Sequence, residues 1–253
     1  MKTELKPGVY WVGAVDWGLR HFHGFELSTH RGSTYNAYLI VDEKIALVDT
    51  VWAPFQEDLL RNIRDIVDPA RIDYVVTNHS ESDHSGALPL VMRHASRATV
   101  VVSKRGVESL QGHYHHDWPV QAVKTGDRLK LGREELLFVE APMLHWPDSM
   151  FTYLTQARIL MPNDAFGQHY ATAFRFNDQV NPTALYEEAL KYYANIVSPF
   201  ASFVTKKIAE FASLNLPVDI IAPSHGVIWR QDPMQIVTRY AEWAAQKPEP
   251  TAV

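Results

Sequence analysis

Cysteine is absent from the 253-residue chain, which excludes disulfides, thiolate zinc sites, cysteine-ligated iron–sulfur clusters and a cysteine nucleophile. Any bound metal has to be held by His, Asp and Glu. The chain also lacks a basic block, and its formal net charge is −5, so it offers no electrostatic footprint for nucleic acid or an anionic membrane. No window reaches the roughly 18 apolar residues of a membrane span. The stretch Met1-Lys2-Thr3-Glu4-Leu5-Lys6-Pro7 has no apolar core of signal-peptide length. Together these absences point to a cytoplasmic protein with neither nucleic acid nor membrane as partner.

The chain is 46% apolar and long enough to build one large α/β domain with a sizeable core. Short β-type runs alternate with helical patterns, which predicts an α/β sandwich. Gly8 to Ala14, Asn36 to Val41 and Lys44 to Val48 read as early strands, with Asp42-Glu43 as the turn between the last two. Leu59, Leu60, Ile63 and Ile66 recur at helical spacing and predict a helix over Phe55 to Ile66. Later strands are expected at Tyr74 to Thr77, Ala98 to Val102, Glu135 to Glu140, Met150 to Thr155 and Val218 to Ala222. Helices are expected at Ala87 to Met92, Pro182 to Asn195, Ala201 to Leu214 and Met234 to Ala245. The domain is expected to fill residues 1–246, with 247–253 as a frayed tail.

One segment concentrates the chemistry. His79-Ser80-Glu81-Ser82-Asp83-His84 packs four candidate metal ligands into six residues, one position beyond the β-type run Tyr74-Val75-Val76-Thr77. Imidazole and carboxylate bind first-row transition metals, and a loop at the end of a buried strand holds such groups on a rigid platform. His145, Asp164 and His225 each follow an apolar run and sit where a strand should end, the usual place for ligands. A single His or Asp after a strand is most often a turn residue. Asp83 also fits an N-cap, and Glu81 a carboxylate at a helix start. Neither reading explains the three distant partners. His113-Tyr114-His115-His116 has similar density but reads as a solvated loop. Asp49, after an apolar strand, fits either a turn carboxylate or an acceptor that orients a ligand imidazole.

The pattern His-x-Glu-x-Asp-His, followed by a distant His, Asp and His, resembles the catalytic domain of flavodiiron proteins. The likeness extends to Asp16-Trp17, Phe22-His23-Gly24, Arg31 to Asn36, Leu47-Val48-Asp49-Thr50, Pro142 to Met150, Asn163 to Gly167 and Ser224-His225-Gly226. It implies a four-layer αβ/βα sandwich of the metallo-β-lactamase-like type. It further implies two non-haem iron ions, one held by His79, Glu81 and His145 and the other by Asp83, His84 and His225, with Asp164 bridging. In some members the residue at the place of His84 is turned away from the metal. By the same resemblance, His23 and Tyr193 line the open face, where they would hydrogen-bond a bound diatomic or supply a proton.

Glu81 then argues for iron. Zinc hydrolases of this fold typically carry His at that place, whereas here Glu81, Asp83 and Asp164 supply three carboxylates, and the extra hard anionic oxygen favours a ferric charge. The implied activity is reduction of dioxygen to water, of nitric oxide to nitrous oxide, or both. The alternatives are a dioxygen-binding sensor or carrier at the same site, and a zinc-dependent hydrolase. Typical family members continue into a flavodoxin-like domain carrying FMN, which serves a partner subunit in a head-to-tail dimer. No phosphate-binding loop for a flavin stands out here, so FMN is not expected on this chain. Two arrangements fit: a single-domain protein, able to form a homodimer and served by a separate flavoprotein or rubredoxin-type donor, or a chain cut from a longer one.

Overall fold

Successive residues of a strand point to opposite faces. Along Tyr38–Val41, Ile45–Val48, Tyr74–Thr77 and Thr99–Ser103, one face carries Leu39, Leu47, Val75, Val100 and Val102, and the other Ile40, Ala46, Val48, Val76 and Val101. All ten are buried, so this sheet needs a covering layer on each side. The structure is a computed structural model that describes residues 3–22 and 27–247.

Thr3–Lys6, Val9–Trp11, Tyr38–Val41, Ile45–Val48, Tyr74–Thr77, Thr99–Ser103 and Val120–Val123 form a seven-stranded sheet in that spatial order. It is antiparallel up to Ile45–Val48 and parallel from there to Val120–Val123. A second sheet runs Arg128–Lys130, Glu135–Glu140, Met150–Leu154, Ile159–Met161 and Ile220–Ile221, with only the last pair parallel. Leu136, Phe138, Met150, Leu154, Ile159 and Met161 meet the Ile40 face of the first sheet and make the central core. Helices Gln56–Arg64, Leu88–His94 and Lys104–Tyr114 cover the outside of the first sheet. Pro182–Tyr192, Ala201–Ser213 and Met234–Ala244 cover the outside of the second. These are the four layers expected from the sequence.

The structure changes some boundaries. The strand expected over Gly8 to Ala14 is broken, because a Cβ on Gly13 would stand 2.1 Å from the Tyr35 carbonyl oxygen. The backbone of Tyr35 passes that close because Ala14–Asp16 leaves the sheet to pair with Ser33–Tyr35. The side chain of Asn62 donates to the carbonyls of Val12 and Gly13, at 3.1 and 2.9 Å, so they stay paired at the break. The expected helix Phe55 to Ile66 is trimmed to Gln56–Arg64, and the expected strand Val218 to Ala222 to Ile220–Ile221. The loop assigned to His113–His116 begins late: the helix runs through Tyr114 and ends at His115, whose φ of 51° stops it. Among the described residues, no helix is long and apolar enough to cross a membrane. Most of the expected tail lies outside the described residues.

Candidate metal centre

The strands deliver the site by where they stop. Tyr74–Thr77 ends one residue before Asn78, and the chain turns through His79, Ser80 and Glu81 into the short helical turn Ser82–Ser85, which carries Asp83 and His84. His145 lies between Glu135–Glu140 and Met150–Leu154, Asp164 follows Ile159–Met161, and His225 follows Ile220–Ile221. Each sheet supplies part of the set at one rim of the sandwich. Asp49, Met143, Asn163 and Phe166 in these loops have φ of 58°, 66°, 55° and 70°, left-handed values that non-glycine residues rarely adopt and that cluster at functional sites.

Two groups converge. His79, Glu81, His145 and Asp164 place ligand atoms within 4.8 Å of one another, and so do Asp83, His84 and His225. Asp164 faces both through different oxygens. Its Oδ2 lies 3.8 Å from His79 Nε2 and 3.4 Å from His145 Nε2. Its Oδ1 lies 3.1 Å from His84 Nε2 and 3.5 Å from His225 Nε2. Glu81 Oε2 is 3.2 and 3.3 Å from the Nε2 atoms of His79 and His145, and Asp83 Oδ2 is 3.4 and 3.0 Å from those of His84 and His225. All seven residues singled out in the sequence are thus brought together. His84 points inward, with its Nε2 in the same cluster as Asp83 and Asp164.

His79 Nε2 meets Glu81 Oε2 at 3.2 Å, but several other polar atoms of this cluster are left without a hydrogen bond. Asp83 Oδ1 and Oδ2, His84 Nε2 and Asp164 Oδ2 are buried without hydrogen-bond partners. Buried polar atoms normally have partners, and a cation is what satisfies inward-facing carboxylate oxygens and imidazole nitrogens together. The donor set fits metal ions: three carboxylates and four imidazoles, in two groups that share one carboxylate.

Behind the candidate ligands, other groups fix their orientation. His225 Nδ1 donates to the Thr34 carbonyl at 2.7 Å, which turns Nε2 toward Asp83 and Asp164. His79 Nδ1 meets Asp148 Oδ1 at 3.2 Å, and Asp148 Oδ2 accepts from the backbone and hydroxyl of Ser80 at 2.8 and 2.5 Å. Tyr192 donates its hydroxyl to Asp164 Oδ1 at 2.8 Å, joined by Ser224 Oγ at 3.3 Å. Asn36 donates its amide to the carbonyls of Pro223 and Gly226 and so pins the His225 loop. The Trp146 ring stands edge-on to His79, with centroids 5.0 Å apart.

Charge balance appears in the titration of these groups. Burial disfavours a charged His79, but Asp148 and Glu81 outweigh it and raise its pKa to about 10. Against the same burial penalty, the Asp83 and Asp164 carboxylates raise His84 to about 9, and Asp164 and Glu81 raise His145 to about 10. Burial works against ionisation of Glu81, Asp148 and Asp164, yet the imidazoles overcome it, holding Asp148 at about 2 and the other two below the usual carboxylate range. Protons on the rings stand in for positive charge, and ligation requires them to leave.

Three expectations are corrected or fall outside the structure. Tyr193 does not face the cluster: its ring packs on Tyr240 and Trp243, at 5.0 and 5.3 Å, and its hydroxyl is buried without a partner. The residue that reaches the site is Tyr192. Leu185, Ala189 and Tyr192 are buried at helical intervals, so the phase of the helix was the available signal. Asp49 does not orient an imidazole; it accepts from the backbone and side chain of Asn78, at 2.8 and 3.0 Å, and from Asn163 at 3.2 Å. It braces the loop of His79 against that of Asp164. His23 lies outside the described residues. Asp148 and Tyr192 are the supporting residues missed in the sequence. For Asp148 the available cue was a carboxylate three residues after a candidate ligand, in the same loop.

A cleft of about 320 Å³, bordered by His21, Phe22, Tyr35 and Trp52, opens onto Glu81 and Asp83. Among the described residues, the cluster thus borders open space on its Glu81 and Asp83 side.

Residues 34–226 match the profile of the ODP family beta lactamase, a span that contains all seven clustered residues. The chain is 55% identical over 252 residues to a nitric oxide reductase of Moorella thermoacetica, covering 99% of this chain and 63% of that protein. It is 50% identical over 251 residues to the anaerobic nitric oxide reductase flavorubredoxin of Escherichia coli, covering 98% of this chain and 52% of that one. Among solved structures, rubredoxin oxygen:oxidoreductase of Desulfovibrio gigas superposes with a TM-score of 0.96 at 41% identity, over 98% of this chain and 63% of that one. The flavodiiron protein of Giardia intestinalis superposes with a TM-score of 0.91 at 39% identity, over 96% and 59% respectively. The chain spans between 52% and 63% of the length of these relatives.

Proposed function

Because the chain belongs to the ODP family of beta lactamases, we propose that it is the diiron part of an oxidoreductase that reduces nitric oxide to nitrous oxide, dioxygen to water, or both. It works in the cytoplasm with electrons from a flavoprotein or rubredoxin-type donor. The observation that carries this reading is Asp164 facing two ligand groups with separate oxygens, one of which includes the carboxylate of Glu81. A zinc hydrolase would not need the third carboxylate, whereas a site that cycles between ferrous and ferric gains from it.

A ferrous pair bound in the two groups supplies two electrons, enough with two protons to convert two nitric oxides to nitrous oxide and water, while dioxygen needs four electrons and four protons to give two waters. The remaining work falls to the chain. Asp164 holds the two groups in one frame, and Tyr192 and Ser224 hold Asp164. Asp148 and Thr34 keep His79 and His225 turned with Nε2 inward. Phe22 and Trp52 narrow the cleft, and its His21, Glu81 and Asp83 side admits solvent protons.

The test has two stages. Metal analysis after expression with iron available is expected to give two irons per chain; zinc alone, with hydrolysis of esters or thioesters, refutes the proposal. The iron-loaded protein is then reduced without oxygen and mixed with nitric oxide or dioxygen. Nitrous oxide or rapid oxidation supports an enzyme, and a stable adduct identifies a sensor instead.

A further inference from the structure

On the side of Asp164 away from the cleft, the packing is incomplete. A cavity of about 20 Å³ borders Asp164 itself and is walled by Leu144, Phe166, Val197, Val204 and Tyr240. Ile208 and Phe166 separate it from a second cavity of about 70 Å³, which extends to Met234 and Ala212. Met234 is 47% exposed and Ala212 is exposed, so the second cavity reaches the surface. The two voids thus share walls at Phe166 and Ile208, beneath helices Ala201–Ser213 and Met234–Ala244, and the inner one ends beside the apolar side of Asp164.

The chemistry of the walls selects what can enter. Lys207 also borders the inner cavity, but its ammonium is tied to the Glu140 carbonyl and to Glu210 at 2.7 Å, so it presents its methylene stem. The outer cavity is walled by side chains such as Leu160, Phe211, Val218 and Val237. Water needs two to four polar partners to settle in a void, whereas an apolar void stays dry and accepts apolar atoms. The inner space exceeds the roughly 10–15 Å³ that one water-sized molecule requires. It is too small for anything much larger.

We propose that these two cavities form a dry entry path and waiting site for an uncharged diatomic gas, leading to the metal centre from behind Asp164 and separate from the polar cleft. The inference rests on the reading of the substrate as nitric oxide or dioxygen. It divides the traffic: solvent, protons and charged partners meet the Glu81 and Asp83 face, while the weakly hydrated gas arrives through side chains that offer it no competing water. Ile208, at the junction, is the residue whose size sets the passage.

Xenon, an inert apolar atom, tests the path without any reaction. Crystals of the metal-loaded protein under xenon pressure are expected to show density near Val218 and Val237, in the larger cavity, and no ordered water among Leu144, Val197 and Val204. Water in the inner cavity, or no xenon in the larger one, overturns the proposal. In solution, Ile208→Trp is expected to slow the association of nitric oxide with the reduced protein by about tenfold, about 1.4 kcal/mol of added barrier. Metal content should be unchanged, and Phe203→Trp, on the exposed face of the same helix, should leave the rate alone. Should Ile208→Trp fail to fold, Ile208→Ala is expected to keep the rate and strengthen the xenon density, and a tenfold slower rate in that variant counts against the path. Xenon bound in a protein inert to both gases refutes the proposed activity and leaves the cavity; an active protein without xenon does the reverse.

Discussion

Replacing Asp148 by Asn preserves its shape and removes its charge, in a position where both carboxylate oxygens are used. Oδ2 takes the backbone N–H and hydroxyl of Ser80, and Oδ1 takes the ring N–H of His79 at 3.2 Å. An asparagine can satisfy only one side. If its NH2 faces Ser80, two donors confront each other across 2.8 Å; if it faces His79, the ring must accept at Nδ1 and carry its proton on Nε2, the nitrogen that faces Glu81 and Asp164. Loss of such a support behind a ligand imidazole typically costs about 10–100-fold in metal affinity. At about 1.4 kcal/mol per tenfold, that is about 1.4–2.8 kcal/mol. Competition against a chelator of known affinity reads the two binding steps separately. The step assigned to the group containing His79 should weaken, and that of Asp83, His84 and His225 should hold. Two affinities within twofold of the unaltered protein would falsify the claim that Asp148 sets the orientation of His79.

Tyr192→Phe removes a donor from a charged acceptor and is expected to lower stability by about 1.5–3 kcal/mol, whereas Tyr193→Phe, whose hydroxyl has no partner, should be near neutral in the same chemical denaturation. Equal losses would restore Tyr193 to the site. Phe138→Ala empties a fully buried position between the sheets, and an expected loss of about 3–5 kcal/mol would show as a lower denaturation midpoint at unchanged slope. Asp178 has its pKa lowered by hydrogen bonds from Arg230, so its contribution to stability is present above the unfolded value and fades as the pH falls through the folded one. Asp178→Asn should cost under about 1 kcal/mol at neutral pH, because the pair is half-exposed, and nothing in strong acid; a cost that persists there contradicts the linkage.

The clustering of the candidate ligands could be read from the chain because each segment that carries them follows an apolar run, and a strand that stops predicts where its next side chains gather. Six of the seven needed no knowledge of the neighbouring strand. Asp164 is different, since its facing two groups depends on Met150–Leu154 and Ile159–Met161 pairing in a particular register. The layers were legible because Leu39 and Ile40, or Val75 and Val76, are apolar on both faces of one strand. The phase of Tyr192 and Tyr193 was not resolved by motif alone, since a π-helical turn at Tyr193–Val197 follows the α-helix and buries both rings on different neighbours. The role of Asp49 was hidden because its partners, Asn78 and Asn163, are 29 and 114 positions away. The split at Gly13 depended on the carbonyl of Tyr35, which local periodicity does not report.

Each metal group draws donors from loops of both sheets: His79 and Glu81 from the first with His145 and Asp164 from the second, and Asp83 and His84 from the first with His225 from the second. An ion held by either group would therefore act as a clasp across the seam of the sandwich, since neither half supplies the whole donor set. Affinity for metal is then also a measure of how firmly the halves are docked, and any substitution that loosens the central core is felt at the rim as a weaker clasp. Conversely, taking the metals away should open the seam first at this edge, and amide exchange around Asn78 and Asn163 would quicken before the helices outside the sheets respond.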